Sequence, residues 1–384
     1  MTKCRILANT MIALCLSSVL FGFAPKEKKY EKELRPVMRG MYSSLQGLLS
    51  YYLDRDEFLD PKNDKKILET LHAFEKQANI VAGMTKQFDQ ELKIYGEAVS
   101  DDAQRAYQSF KKGAKNHAYF YTEELINTCF SCHTSRETNK DSKFAQLSDA
   151  IDLSDIDPLM LPRFYVLARQ FDKALSAYED LFEAQTLSLS EVLHFDPFLN
   201  YLIISIRTKH DIERPIALFQ KLLKKSYPES IKRDFRTWLS SLKDIAKTRK
   251  KEPSLPLAES WITKGRALME YPRDQGGVIY YIEASRLLKD IISDSKAKNA
   301  QDKAKAAYLL GVTELVIGHP ILGLEAQQYL EKAIRLLPHS DLADEAFSLY
   351  EENLIFAYSG SAGLNLPANE KDRLETLRKL AKKK

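Results

Sequence analysis

The sequence predicts an all-α protein, and three observations support that prediction. Glycine and proline together make up 28 of 384 residues, about 7%, where soluble proteins average ~12%. Long stretches repeat apolar residues every three to four positions, which is the period of a helix that buries one face. Lys, Glu, Leu and Ala, which are all good helix formers, are abundant. The 44% hydrophobic content suffices for a buried core, which excludes a wholly disordered chain.

The first 24 residues have the pattern of a secretory signal. Lys3 and Arg5 precede an uncharged stretch from Ile6 to Ala24, and a basic start followed by an apolar segment is typical of exported proteins. This is the one long apolar run, so a polytopic membrane protein is excluded. Pro25 directly after a small residue disfavours cleavage there. We therefore expect a periplasmic protein whose residues 1–24 are either removed or kept as an anchor in the inner membrane.

Composition and motifs exclude several classes of function. Without Lys3 and Arg5, 55 basic residues face 53 acidic ones, a net charge of +2, which gives no electrostatic basis for binding nucleic acid. The sequence has no hydrolase elbow, phosphate-binding glycine loop or His-Glu-x-x-His motif, so we do not expect an enzyme. Adjacent carboxylates such as Glu123 and Glu124 diverge on a helix and are expected on solvated faces.

One motif carries specific chemistry. Only Cys129 and Cys132 lie outside the signal segment, and His133 follows them directly. C-x-x-C-H is the signature of c-type haem attachment, in which two thiols add to the haem vinyl groups and the imidazole coordinates the iron from the proximal side. On a helix, positions i, i+3 and i+4 share one face. The sequence therefore predicts one covalent haem c, held by Cys129, Cys132 and His133.

Three other interpretations of the cysteine pair are weaker. A thioredoxin-type redox pair follows a strand in a βαβ unit, whereas the flanks of this motif are helical. A zinc site needs two further ligands, and the sequence has no second cysteine pair. A plain disulfide between Cys129 and Cys132 gives no reason for the adjacent His133, although it remains open.

The chain before and through the motif predicts four amphipathic helices. Their ranges are Glu33–Leu53, Lys65–Met84, Gln90–Lys112 and Lys115–Glu137. A polar, proline-containing break at 54–63 separates the first two helices. Four amphipathic helices with short loops, one of which carries a cofactor, make a four-helix bundle. We assign this haem domain to residues 25–140.

That order resembles the class II cytochromes c, the cytochrome c′-like family, in which the attachment motif lies on the last helix of such a bundle. The resemblance rests on the motif at Cys129–His133, on Arg136 shortly after it, and on Arg35-Pro-Val-Met38 in the first helix. The arginine of the first helix stands three positions before Met38, where the family usually has four. The resemblance covers about residues 33–140, roughly a third of the chain.

The resemblance implies candidates for the remaining contacts of the haem. Met38 is the candidate for the sixth iron ligand, as in low-spin relatives, and Met41 is the second candidate. Methionine on an apolar stripe usually fills core, so five-coordinate iron stays open, as do the less favoured His72 and His117. Arg136 is expected to contact a haem propionate.

Helix pairs with a recurring spacing follow an acidic, serine-rich stretch at 141–158, which predicts a linker. The clearest pair spaces its small and apolar residues like a tetratricopeptide repeat, at Leu310, Gly311, Gly318, Ala326, Leu330, Ala333 and Pro338. Further copies are centred on Phe171-Ala174-Tyr178-Leu181, on Ile212-Pro215-Phe219-Leu222, and on Trp261-Gly265 with Ala284-Leu288-Ile291. Residues 159–384 thus resemble divergent tetratricopeptide repeats, whose stacked hairpins present a groove for proteins. An unrelated helical array is the alternative.

These elements together predict an exported mono-haem c-type cytochrome that transfers electrons and docks redox partner proteins through its helical repeats. Two alternatives remain open. A haem-based sensor of small gases would need an open or displaceable distal position on the iron. A repeat scaffold without haem would use Cys129 and Cys132 merely as a disulfide.

Overall fold

The computed structural model is about 81% helical with almost no strand, which confirms the predicted all-α class. It describes residues 25–87, 90–136, 153, 156–188, 190–192, 196–248, 252–270, 274–293, 299–318, 326–360, 363–366 and 368–383. The predicted signal segment, residues 1–24, and most of the predicted linker at 141–158 lie outside this part of the chain. Among the described helices, none is both long and apolar enough to cross a bilayer.

The N-terminal helices follow the sequence pattern closely. They are α1 (Pro25–Leu53), α2 (Arg55–Leu59), α3 (Asp64–Thr85), α4 (Gln90–Lys111) and α5 (Lys115–Arg136). The ends of α3, α4 and α5 lie within one residue of the predicted ends. Helix α1 also includes residues 25–32, which lie before the predicted start at Glu33.

The predicted break between the first two long helices contains a short helix of its own. Asp54 caps α2, since its side-chain Oδ1 accepts hydrogen bonds from the backbone N–H groups of Asp56 and Glu57 at 3.0 and 3.1 Å. Phe58 of α2 is fully buried and meets the rings of Phe110 and Tyr119 edge-on, at 5.6 and 5.2 Å between ring centroids. This segment therefore closes one end of the N-terminal helices.

Consecutive long helices of this region run antiparallel. Between α1 and α3, Gly40 lies against Gln77 and Gly47 lies against Thr70, so the residue numbers rise in one helix as they fall in the other. Between α3 and α4, the ring of His72 stacks on Tyr107 at 4.6 Å, and the Ser100 hydroxyl donates to Asn79 at 2.6 Å. Between α4 and α5, the Thr128 hydroxyl donates to Asp102 at 3.0 Å.

The rest of the chain is a succession of paired helices. They are α6 (Met160–Leu167), α7 (Phe171–Ala184), α8 (Pro197–Ile203), a π-helical turn (Ile204–Thr208), α9 (Glu213–Leu222), α10 (Glu229–Ala246), α11 (Leu255–Ala267), α12 (Val278–Ser293), α13 (Ala300–Ile317), α14 (Ala326–Leu336), α15 (Asp341–Tyr358) and α16 (Ala368–Ala381). Two short strands, β1 (Ser359–Gly360) and β2 (Gly363–Leu364), pair antiparallel between α15 and α16.

The small residues of the predicted repeats lie where paired helices approach each other. A Cβ on Gly311 of α13 would stand 2.7 Å from Leu330 Cδ2 of α14, and a Cβ on Gly265 of α11 would stand 2.7 Å from the Tyr281 ring of α12. Gly318 ends α13 with a φ of 69°, a left-handed conformation that favours glycine. The tetratricopeptide assignment itself stays a prediction.

Among the described residues, three apolar clusters form the interior. The N-terminal cluster is built by α1–α5 and by Met160, Phe164 and Leu167 of α6. The central cluster is built mainly by α7–α13, and the C-terminal cluster by α13–α16. Because α6 completes the N-terminal cluster, the two predicted regions share a packed boundary. Leu153 and Ile156, both within the predicted linker, also pack against the N-terminal cluster.

Candidate haem site

The attachment motif lies on the last turns of α5, at the boundary between two apolar clusters. Cys129 and Cys132 are half-buried and are held as thiols. Cys129 packs against the N-terminal cluster, whereas Cys132, three residues on, packs against the central cluster. The motif turn is therefore enclosed from both sides.

The environment of Cys129 keeps its thiol protonated. Burial raises the pKa of Cys129, and the neighbouring Cys132 and Asp102 raise it further, because each disfavours a negative charge on sulfur. Because the thiolate is the nucleophilic form of cysteine, this environment lowers the reactivity of the Cys129 sulfur in the folded protein.

The position of Met38 follows from the contact between α1 and α5. Tyr119 of α5 donates a hydrogen bond from its hydroxyl to the backbone oxygen of Tyr52 in α1, at 2.9 Å. Because α1–α3, α3–α4 and α4–α5 are each antiparallel pairs, α1 and α5 are also antiparallel to each other. Met38 lies fourteen residues before Tyr52, and His133 lies fourteen residues after Tyr119. At about 1.5 Å per residue, both stand at the same level along the helices.

Burial distinguishes the two methionines proposed for the iron. Met38 is half-buried and packs against the N-terminal cluster, as Cys129 does. Met41 is only 4% exposed and belongs to the interior of that cluster. A thioether in the interior fills core, whereas Met38 stands at its edge, on the motif's level. The geometry favours Met38 over Met41 as a ligand.

The two other histidine candidates lie far from the motif level. His117 is exposed near the start of α5, sixteen residues before His133, which is about 24 Å along one helix. His72 stacks on Tyr107 and lies 3.4 Å from a carboxylate oxygen of Glu75. Neither can reach an iron that is held by His133. The backbones of His133 and Arg136 belong to α5, and their side chains lie outside the described part of the structure, so their roles stay predictions.

The residues present fit a covalently attached haem. Two thiols share one helical turn, the imidazole follows in sequence, and a thioether stands at the same level on the neighbouring helix. Helices α1 and α5 also meet much less extensively than any two consecutive long helices of this region. The hydrogen bond and ring contact between Tyr52 and Tyr119 lie at the end of this helix pair that is away from the motif.

Beside the motif lies a polar cavity of about 140 Å³ that sequence reasoning missed. It is lined by Asp101 and Arg105 of α4, Thr128 and Ser131 of α5, and Glu370 and Arg373 of α16. No local pattern could have indicated it, because α4 and α16 are more than two hundred residues apart in sequence.

The expectation of solvated faces for Glu123 and Glu124 is wrong for the same reason. Both side chains are half-buried. Glu123 accepts a hydrogen bond from Arg163, which lies in the later helix α6, and Glu124 lines the cavity. Contacts with distant segments cover a helix face that the local sequence leaves exposed.

Within the described ranges, no group of three or more His, Cys, Asp or Glu side chains is placed to hold a metal ion. No protein-family model, no curated protein and no solved structure matches this chain. The candidate site therefore rests on the Cys-x-x-Cys-His motif and on the geometry of the helices around it.

Proposed function

We propose that this protein is an exported mono-haem c-type cytochrome that transfers electrons. The observation that supports it best is the pair of half-buried thiols, Cys129 and Cys132, on one turn directly before His133. In this proposal the two sulfurs form thioethers with the haem and His133 binds the iron on its proximal side. The bound haem supplies reversible one-electron chemistry.

The surrounding residues would keep the coordination of the iron constant. Met38, level with His133 on α1, is the proposed distal ligand, and Arg136 is the proposed contact of a propionate. A thioether ligand favours ferrous over ferric iron and so raises the reduction potential. A fixed pair of axial ligands also limits rearrangement when an electron arrives or leaves.

The architecture proposed with this function has two parts. The N-terminal helices α1, α3, α4 and α5 form a four-helix bundle that carries the haem. The helix pairs from residue 159 onwards form tetratricopeptide-like repeats that dock redox partner proteins. Close approach at Gly265 and Gly311 supports this assignment, because paired repeat helices need small residues where they cross. Residues 1–24 direct the chain to the periplasm and, where uncleaved, tether it to the inner membrane.

The test is whether the full chain carries covalent haem when it is made in a bacterial host that matures c-type cytochromes. A denaturing gel stained for haem peroxidase activity should show a band at the chain's mass, and a pyridine haemochrome spectrum should give one haem per chain. Cys129→Ala and Cys132→Ala should each weaken or abolish the band. His117→Ala is the matched control and should leave it unchanged.

An unstained wild-type band, beside a stained known cytochrome made in the same cells, would overturn the proposal. The scaffold with a Cys129–Cys132 disulfide would then be the better interpretation. A stained band together with rapid carbon monoxide uptake by the ferrous protein would instead favour the gas sensor, because it would show an open distal position.

A further inference from the structure

The N-terminal helices meet the C-terminal helices at the cavity beside the motif. Arg105 of α4 donates a hydrogen bond from Nη2 to the hydroxyl of Tyr358, at the end of α15, over 3.0 Å. On the far side, α16 contributes Glu370, which is only 8% exposed, and Arg373. This junction therefore joins segments that are far apart in the chain through charged and polar groups.

Carboxyl groups outnumber cations at the junction. Its lining contains Asp101, Asp102, Glu124 and Glu370, against the two guanidinium groups of Arg105 and Arg373. Part of the charge of Arg373 is already engaged, since its Nε donates to Glu331 of α14 at 2.7 Å. Other titratable groups at the junction are the hydroxyls of Tyr95 on α4 and of Tyr350 and Tyr358 on α15. With every carboxyl ionised, the closed junction would hold an excess of negative charge.

Two of these carboxyls, Asp101 and Glu370, line the cavity from different helices. Desolvation raises the pKa of Asp101 on α4, and the cations Arg105 and Arg373 oppose this only in part. Desolvation likewise raises the pKa of Glu370 on α16; Asp101 and Glu331 add to the rise, and Arg373 and Arg105 oppose it. The closed junction thus favours neutral acids at these two positions.

We infer that the contact between α4 and α16 is a pH-responsive joint, closed in acidic solution and loosened as the solution becomes more alkaline. Opening admits water, which stabilises the ionised carboxylates, so the open form binds fewer protons than the closed form. Stability of the closed form is therefore complete below the ordinary carboxyl pKa values of 3.8 and 4.5. It falls as the pH rises from there through the raised values.

The joint does not depend on the haem, but it adjoins the motif. Ser131, which lies between the two cysteines, is 3% exposed and lines the same cavity. Loosening of α16 would therefore admit water to the motif turn. In the proposed cytochrome, the environment of the haem would respond to pH through protein groups remote in sequence.

Hydrogen–deuterium exchange of the full chain, followed by mass spectrometry, tests the joint. Exchange would be measured at pH 5 and pH 7, with labelling times scaled for the intrinsic effect of pH. Peptides covering 95–105 and 368–381 should exchange faster at pH 7, by up to about tenfold per pH unit for one released proton. Peptides of α9, outside the junction, should show no such change.

The variants that decide the matter are Asp101→Asn and Glu370→Gln, singly and together. Each removes a titrating proton while keeping the side-chain shape, so the pH effect should shrink in each and vanish in the pair. Glu375→Gln, an exposed carboxylate of the same helix, is the matched control and should behave as wild type. The inference would be overturned if the double variant kept the full pH effect on exchange. It would also be overturned if wild-type peptides of α9 showed the same pH effect as those of α4 and α16. Should the double variant fail to fold, the single variants and the localisation in wild type give the same decision.

Discussion

The hydroxyl of Tyr119 donates a hydrogen bond of 2.9 Å to the backbone oxygen of Tyr52, and the two rings stack with centroids 6.3 Å apart. This contact joins the last turn of α1 to the first turns of α5. It sets the register of the two helices between which the haem is proposed to lie.

Tyr119→Phe should therefore destabilise the fold without emptying the site. The variant keeps the ring and loses one hydrogen bond to a carbonyl, which costs about 0.5–1.5 kcal/mol. The free energy of unfolding in urea measures the loss. Tyr121→Phe, on the same helix, is the control. It also removes a hydroxyl, but it keeps the ring that faces the guanidinium of Arg105 at 5.8 Å. Equal losses in the two variants would contradict the role given to the Tyr119 hydroxyl.

Gly311→Ala should destabilise the helix pair α13–α14. The new Cβ would meet Leu330 Cδ2 at 2.7 Å and the Ala326 backbone oxygen at 3.3 Å, and such overpacking typically costs about 1–3 kcal/mol. Gly83→Ala is the matched control, because a Cβ on this helical glycine meets nothing within 4 Å. It should stabilise the protein by about 0.5–1 kcal/mol. Thermal and urea unfolding compare the two.

Leu330→Ala provides the complementary test of that contact. Alone, Leu330→Ala should destabilise the protein by leaving a cavity. The double variant with Gly311→Ala should lose less stability than the sum of the two single losses, because the smaller side chain makes room for the new methyl. Strictly additive losses would show that Gly311 and Leu330 do not determine this crossing.

Glu314→Ala should be among the most destabilising single changes in the central helices. Glu314 Oε1 accepts hydrogen bonds from Arg207 Nη1 at 2.8 Å and from the Ser285 hydroxyl at 2.6 Å. Both charged side chains are 3% exposed, so removing the carboxylate takes a counter-charge from a buried guanidinium, at a cost of about 3–5 kcal/mol. Urea denaturation with circular dichroism measures it.

Two companion variants separate charge from packing. Replacing both partners, Arg207→Met with Glu314→Leu, should recover most of the loss, because neither charge of this pair then remains. Glu183→Ala, which breaks the exposed ion pair with Lys221, should have little effect. A Glu314 variant as stable as wild type would refute the buried pair.

Met38→Leu and Met41→Leu together test the distal ligand. Both changes nearly conserve side-chain volume, so they separate ligation from packing. In holoprotein, Met38→Leu should abolish the weak long-wavelength absorption band of iron–sulfur ligation and let ferrous haem bind carbon monoxide. Met41→Leu should leave both properties as in wild type. The reverse pattern would assign the ligand to Met41, and no effect of either would indicate five-coordinate iron.

The Cys129 thiol should react slowly in the folded protein without haem. Its pKa is raised above the ordinary value of 9.0, so the thiolate that attacks an alkylating reagent forms only in more alkaline solution. Iodoacetamide labelling at pH 8, mapped by mass spectrometry, should proceed at least about tenfold faster in urea than in the folded state, since one unit of pKa corresponds to a factor of ten. Equal rates would show that the thiol is not buried.

Local sequence signals predicted the long helices well and the short ones poorly. The ends of α3, α4 and α5 followed from periodic apolar residues and turn-forming loops, which act within a few positions of the chain. Helix α2 spans five residues, too few for a periodic stripe, although Asp54 in front of it is a recognisable cap. Residues 25–32 of α1 were missed because their sequence is mostly charged and has no apolar stripe.

In the candidate site, too, local features could be predicted from the sequence and contacts between distant segments could not. The motif at Cys129–His133 is a local signal, and so is the stripe that holds Met38. The buried pair of Arg207 and Glu314 spans 107 residues, so nothing near either residue marks it. The cavity beside the motif likewise depends on how α16 packs against α4, which only the folded chain reveals.

The enclosure of the motif turn has a consequence for biogenesis. Cys129 packs against the N-terminal cluster while Cys132 packs against the central cluster, so the helices of both clusters restrict the approach of a large catalyst to these half-buried sulfurs in the finished fold. If a haem is attached, attachment should therefore be most efficient before the later helices close over α5. A chain that folds first would be a poorer substrate for attachment, and the speed of folding would compete with the supply of haem.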